Sequence, residues 1–350
     1  MSRSALQELF GTRFPVIQAP MAGVQGSALA VAVSNAGGVG SLPCALLTLE
    51  GVQRELTAIA ARTSQPFNVN FFCHTPPEPD VERERRWRET LAKYFTELGV
   101  DPSAIPAGSG RSAFGREEAE LLLEFEPKFV SFHFGLPSAD LVTIVRSCGA
   151  KILSSATTVD EARWLEARGV DAIIAQGLEA GNHRDHFLSD DLSLQMGTLA
   201  LVPQIVRAVK TPVIAAGGIA TARGVEAAMA LGASGVQVGT AYLLCPEANT
   251  SAVHRDALRS EAARMTALTN LFTGRPARGI VNRIIRELGP IRNDAPRFPL
   301  AAPLVAPLRA KAESAKSGDF SPLWAGQNAT GCKEIGAAAL TEELAGGLGK

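Results

Sequence analysis

The chain has 350 residues, 46% of them hydrophobic and 20% charged, with a formal net charge of -1. That length and apolar content suit one large domain, or a domain with an appendage, with a sizeable core. Balanced charge gives no electrostatic case for nucleic acid or an anionic membrane, and no apolar run approaches the ~18 residues of a bilayer span or forms a signal peptide at the start.

Pro15–Pro20 reads as a first short apolar strand, and Met21-Ala-Gly23 turns the chain. Gly26–Ala36 is a helix of small residues ended by Gly37-Gly38. Val39–Leu42 is a second strand, Thr48–Arg62 a more polar helix, and Phe67–Phe72 a third strand with Asn70 near its exit. The pattern then breaks. Residues 73–115 carry Pro76-Pro77, a charged amphipathic stretch over Asp80–Leu98, and a Gly/Ser/Pro-rich segment over Pro102–Ser112. Insertions of this length are usually functional or mobile.

Helical sequence resumes at Glu117–Phe125, followed by a fourth strand at Phe129–Phe134 with His133 near its exit. Ser138–Cys148 is its helix, Lys151–Ala156 the fifth strand and Asp160–Arg168 the next helix. The sixth strand opens the stretch Ala172–His183, an apolar run broken by Gly177 and Gly181. Thr198–Val209 is helical, Pro212–Ala216 the seventh strand, Thr221–Leu231 its helix and Gly235–Gly239 the eighth strand. Residues 167–177 and 230–240 echo each other, with Gly169 matching Gly232, as expected of one repeated strand–helix unit. Eight such units in roughly 240 residues predict a (β/α)8 TIM barrel, an α/β fold, ahead of an open doubly wound sheet.

The barrel should span residues 1–245, with the insertion at 73–115, and residues 246–350 should form a helical segment closing its mouth. Within it, Ser251–Ala267 reads as helix and Gly289–Pro307, with five prolines, as a lid or linker. Ala310–Lys316 and Thr341–Leu344 are short helical patterns.

Polar residues just past buried strands are where such folds keep their chemistry. Gln176 and His183 are the first candidates. The double glycine Gly217-Gly218 after the seventh strand, with a helix opening near Thr221, suits an anion met by free N–H groups. Gln237 to Thr240 after the eighth strand completes the usual phosphate position. Asn70 and Gln176 bring amides, which both donate and accept, to strand ends. Lys128, Lys151 and Lys210 stand at strand beginnings, which argues against a Schiff-base aldolase. Cys44, Cys73, Cys148, Cys245 and Cys332 are scattered, and His183 and His186 lack further ligand partners, so no metal site and a reduced cytoplasmic protein are expected.

These motifs resemble the class I nitronate monooxygenases, flavoproteins formerly called 2-nitropropane dioxygenases. The likeness runs in order through Gln18–Gly23, Ala32–Gly38, Pro66–Asn70, Ser131–Gly135, Gln176–Arg184, Ala215–Gly218, Gln237–Thr240 and Trp324–Gln327. It implies one non-covalent FMN in a TIM barrel. It also implies oxidation of alkyl nitronates by dioxygen to carbonyl compounds and nitrite, through one-electron transfer to the flavin. Pro20, Met21, Ala22, Gly23, Asn70, Gln176 and Gly181 should contact the flavin. Gly217, Gly218, Gln237, Val238, Gly239 and Thr240 should hold its phosphate. His183 and His133 match the family's pocket histidines, and His183 is expected to bind the anionic substrate. The implied partners are a small nitronate and dioxygen, with the chain a monomer or homodimer. His74, His186 and His254 are left as surface or loop residues.

Two departures stand out. The family usually has Gly-Gly-His where this chain reads Gly181-Asn182-His183, and Asn is the other residue that tolerates a left-handed backbone. The family also places tyrosines and a lysine in the lid and a tyrosine in the insertion, whereas the only tyrosines here are Tyr94 and Tyr242. A more apolar roof should favour longer uncharged nitronates over propionate 3-nitronate. The alternatives are an FMN-dependent NAD(P)H reductase of quinones or enoyl thioesters, and a flavin-binding protein without catalysis.

Overall fold

Short strands buried on both faces set the architecture, because a parallel sheet flanked by helices has no solvent side. A computed structural model describes residues 5–105 and 111–348. The barrel strands are β1 (Val16–Gln18), β2 (Gly40–Pro43), β3 (Phe67–Phe72), β4 (Phe129–His133), β5 (Lys151–Ala156) and β6 (Ala172–Gln176). After the two-residue β7 (Asn182–His183), which lies outside the barrel, come β8 (Val213–Ala216) and β9 (Gly235–Val238). All eight barrel strands pair in parallel, in the order β1-β9-β8-β6-β5-β4-β3-β2. A parallel bridge between Ile17 and Val39 joins β1 to β2. Gln18 N donates to Val39 O and Val39 N to Val16 O, both at 2.9 Å. That closure is what separates a barrel from an open sheet.

The helices α1 (Ala5–Phe10), α2 (Ser27–Asn35), α3 (Leu49–Ala60), α4 (Val81–Leu98), α5 (Arg116–Phe125), α6 (Ala139–Ser147), α7 (Val159–Ala167), α8 (Thr198–Ala208) and α9 (Ala222–Ala230) follow in sequence. Thr48, Asp80, Thr158 and Thr221 cap four of them, each accepting from the N–H three residues on, at about 1 kcal/mol per cap. Gly169 and Gly232, the matched glycines of the sequence echo, both take positive φ (74° and 93°). Each ends a helix three residues before a buried strand. The echo is one turn used twice.

The C-terminal third departs from the helical expectation. α10 covers only Ala252–Arg259, because Ser260 turns the chain and caps a short 3-10 turn by accepting from Ala262 N. Two strands follow, β10 (Thr266–Thr269) and β11 (Ala277–Ile280). They pair antiparallel, and β11 also pairs with β7, so the histidine loop is stitched to this small sheet. After α11 (Arg283–Leu288), the proline-rich stretch is partly helix: α12 runs Ala302–Ser314. Pro303 stands in its first turn, where no N–H is needed, and Pro307 costs it one bond.

The insertion and this region share a core. Trp87, Leu91 and Tyr94 of α4 are buried with Phe272, Ile284, Leu308 and Phe320. The last helix, α13 (Ala337–Ala345), instead returns Ala337, Leu340 and Leu344 to the barrel's own core. No helix among the described residues is long and apolar enough to cross a membrane.

Candidate active site

The strand exits surround a cavity at the mouth of the barrel. From the β1 exit it is lined by Pro20, Met21 and Ala22, and from β4 by His133. β6 and its loop supply Gln176, Gly181 and His183, β8 supplies Gly217 and Gly218, and β9 supplies Gln237, Gly239 and Thr240. Three residues of the sequence expectation stand off the lining. Gly23 shapes the turn after β1 with φ 85°, Val238 is buried in the barrel core, and Asn70 sits behind His133. Asn70 Nδ2 lies 3.0 Å from His133 Nδ1.

Gln176 folds the histidine loop back onto its own strand. Its Nε2 donates to His183 O at 3.0 Å and Asp185 Oδ2 at 3.1 Å, while Oε1 accepts from Asp185 N at 3.1 Å. Asn182 takes φ 66°, so the left-handed turn survives without a second glycine. Gly181 is required for a different reason. A Cβ there would stand 2.6 Å from Gly326 N and 2.7 Å from the Ala325 carbonyl carbon. Only a bare backbone lets those segments touch.

His183 is buried, with Nε2 2.9 Å from Thr273 Oγ1 and Nδ1 without a protein partner. Its ring meets Phe72, Phe134, Phe298 and Trp324 at centroid separations of 5.2 to 6.0 Å. Burial, reinforced by the positive charges of Arg111 and Arg275, pushes its pKa well below the ordinary value. Burial thus favours the neutral imidazole.

The roof is apolar in shape, as the missing tyrosines suggest, but it is not electrically neutral. Arg275 lies 4.1 Å over the Phe134 ring and Arg111 5.6 Å from that of Phe298. Arg275 spends its donors on the carbonyls of Arg184 and His186. Its charge still acts on the pocket.

At the opposite end, Gly217 and Gly218 have φ 121° and 73°. Among the described residues, the N–H groups of Gly218 and Gly239 meet no acceptor. Thr240 Oγ1 accepts from Gly326 N at 2.9 Å, which leaves the hydroxyl proton to donate elsewhere. Gln237 Oε1 is buried without a donor. Donors without acceptors, gathered beside glycines, are what an anion needs.

Several residues around the cavity were given no role in the sequence reading. Glu179 lines it and caps α8, its carboxylate accepting from Thr198 N and Oγ1 at 2.8 to 3.0 Å. Trp324, Gly326 and Asn328 form a strap across the strand exits: Gln327 N donates to Glu179 O at 2.9 Å and Asn328 Nδ2 to Gly218 O at 3.0 Å. His74, His186 and His254 are buried rather than on the surface, and His254 lines the cavity. Its place one helical turn before Leu258, the other buried residue of α10, is the pattern that identifies it. Among the described residues no cluster of three or more His, Cys, Asp or Glu could hold a metal.

The sequence model of the nitronate monooxygenase family matches residues 3–347. A nitronate monooxygenase of Pseudomonas aeruginosa is 42% identical over 345 residues, covering 97% of this chain and 98% of that protein. A probable nitronate monooxygenase of Bacillus subtilis is 36% identical over 342 residues, covering 96% and 93%. Among solved structures, nitroalkane oxidase from Streptomyces ansochromogenes superposes with a TM-score of 0.87 at 38% identity, over 98% of this chain and 97% of that one. FabK from Thermotoga maritima is more distant, with a TM-score of 0.73 at 25% identity over 98% and 95%.

Proposed function

Because the chain belongs to the nitronate monooxygenase family, we propose that it oxidises alkyl nitronates with dioxygen to carbonyl compounds and nitrite, with one FMN in the strand-exit cavity. The residues present fit that group. The unpaired N–H groups of Gly218 and Gly239, with the Thr240 hydroxyl, suit its phosphate. The buried Oε1 of Gln237, which lacks a donor, suits a ribityl hydroxyl. When bound, the flavin supplies one-electron redox chemistry, and the protein supplies binding, orientation and electrostatics.

The observation that carries the reading is His183. It is buried, has one ring nitrogen without a protein partner, and lies in the positive field of Arg111 and Arg275. That field favours an anion, and a nitronate is one. From Nδ1 the imidazole donates a hydrogen bond to a bound nitronate oxygen, or in its other tautomer accepts a proton from a neutral nitroalkane. The first role suffices for a nitronate, which needs no proton removed. Phe72, Phe134 and Phe298 pack around the His183 ring and shield it from water. A reducing cytoplasmic setting is part of the same reading, supported by the five free thiols.

The test is an anaerobic absorbance titration of the FMN-loaded protein, with an alkyl nitronate in one cuvette and NADH in another. The flavin spectrum should change with the nitronate and stay unchanged with NADH. Rapid bleaching by NADH alone would replace this reading with a nicotinamide-dependent reductase.

A further inference from the structure

Asp185 is buried where three elements meet. Its Oδ2 lies 3.1 Å from Gln176 Nε2 and 3.2 Å from His133 Nε2. The identity of each amide atom is fixed by a neighbour that has only one role. Gln176 Nε2 faces the His183 carbonyl, which only accepts, and Gln176 Oε1 faces the Asp185 N–H, which only donates. Asn70 Nδ2 faces the Ser131 carbonyl at 3.1 Å, and the same nitrogen lies 3.0 Å from His133 Nδ1. An amide nitrogen has no lone pair to offer, so Nδ1 of His133 must accept and carries no proton. The ring proton is therefore on Nε2, donated to Asp185.

We propose that Asn70 and Asp185 are positioning residues that together fix His133 as its Nε2–H tautomer, withdraw it from proton transfer, and leave His183 as the histidine that meets the substrate. Both ring nitrogens of His133 are taken by protein groups, whereas His183 keeps Nδ1 without a protein partner. For His133 to gain a proton on Nδ1, Asn70 would have to swing its nitrogen away, breaking its bond to Ser131 O. Burial raises the Asp185 carboxyl above its usual range, and His133, Ser155, Arg184 and Arg275 oppose that rise. Its Oδ2 accepts the two N–H bonds from Gln176 and His133. The division of labour between the histidines rests on the proposed function, while the tautomer rests on the geometry alone.

Histidine-selective 15N labelling of the FMN-loaded protein reads this directly, because long-range 1H–15N spectra distinguish the two tautomers. His133 is assigned by the signal lost in His133→Gln. The wild type should show an Nε2–H pattern for His133 around neutral pH. Asp185→Asn, whose amide oxygen can accept the same two bonds, should keep that pattern and most of the turnover. Asn70→Asp, whose carboxylate accepts where the amide nitrogen donated, should bring a proton to Nδ1 and lose turnover with it. Asp185→Ala, which leaves Asn70 in place, should keep the tautomer but lose the downfield shift of the hydrogen-bonded Nε2 proton and lower turnover. A wild-type His133 that is protonated on Nδ1, or a tautomer unmoved by Asn70→Asp, would overturn the assignment. The wild-type spectrum needs no variant to fold. Nitronate and NADH specificity do not enter it, so failure of the functional reading is a separate result.

Discussion

Gly181→Ala is the substitution whose cost can be worked most directly from the geometry. The added Cβ would stand 2.6 Å from Gly326 N and 2.7 Å from the carbonyl carbon of Ala325, both backbone atoms that cannot rotate aside. Reaching ordinary contact requires a retreat of roughly 0.8 Å by the strap that carries Trp324 to Asn328. Two hydrogen bonds hold that strap to the loops beside Gly181: Gln327 N to Glu179 O and Gly326 N to Thr240 Oγ1, each 2.9 Å. A displacement of that size takes both beyond hydrogen-bonding distance. Each is worth about 0.5–1.5 kcal/mol, so the strap loses on the order of 1–3 kcal/mol. Thr240 would also lose the bond that directs its hydroxyl proton toward an anion. If the strap closes on bound FMN, its loss appears as a rise in the FMN dissociation constant of roughly 5- to 150-fold. Fluorescence quenching of free FMN by the apoprotein measures it. A Gly181→Ala protein that binds FMN within about twofold of wild type would refute the close approach as the reason for glycine here.

Asn328→Ala removes the single bond from Nδ2 to Gly218 O, and the same titration should register a weakening of about fivefold, near 1 kcal/mol. Acid should destabilise the fold through histidines held neutral by burial. His254 has its pKa lowered from 6.5 to about 4, so below pH 6.5 the unfolded chain takes up a proton that the native state refuses. Stability then falls as pH drops from 6.5 toward 4, at up to about 1.4 kcal/mol per pH unit, and His254→Leu should flatten that limb in urea melts. His74 and His186 are shifted in the same direction and steepen the same loss. With aromatic rings around His183, no lid tyrosine or lysine to hold a carboxylate beside the nitronate, and Arg275 tied to the carbonyls of Arg184 and His186, kcat/KM for butyl or hexyl nitronate should exceed that for propionate 3-nitronate. The reverse order in a steady-state oxygen-consumption assay would sink that inference.

The barrel could be read from the sequence because its strands carry their reason locally. Ala172–Gln176 is buried at every position, and a run buried on both faces needs no partner to be recognised. The glycines at 169 and 232 likewise mark turns that only their own φ demands. The phosphate end follows from the same local logic, since double glycines before a capped helix announce free N–H groups. β7, β10 and β11 have no such signature. β7 is two residues long and owes its existence to pairing with Ala277 and Arg278, far along the chain. α12 was hidden by Pro303, which its first turn accommodates, and by Pro307, which costs it one bond. The polar core of the site was the least legible part. Asp185 reads as one more acid in a polar loop until β7 and Gln176 turn that loop inward, and only then does it reach His133 on a different strand. Amide and carboxylate side chains acquire a role from the partner across the barrel, so sequence spacing names the histidines but not the groups that decide which nitrogen each can use.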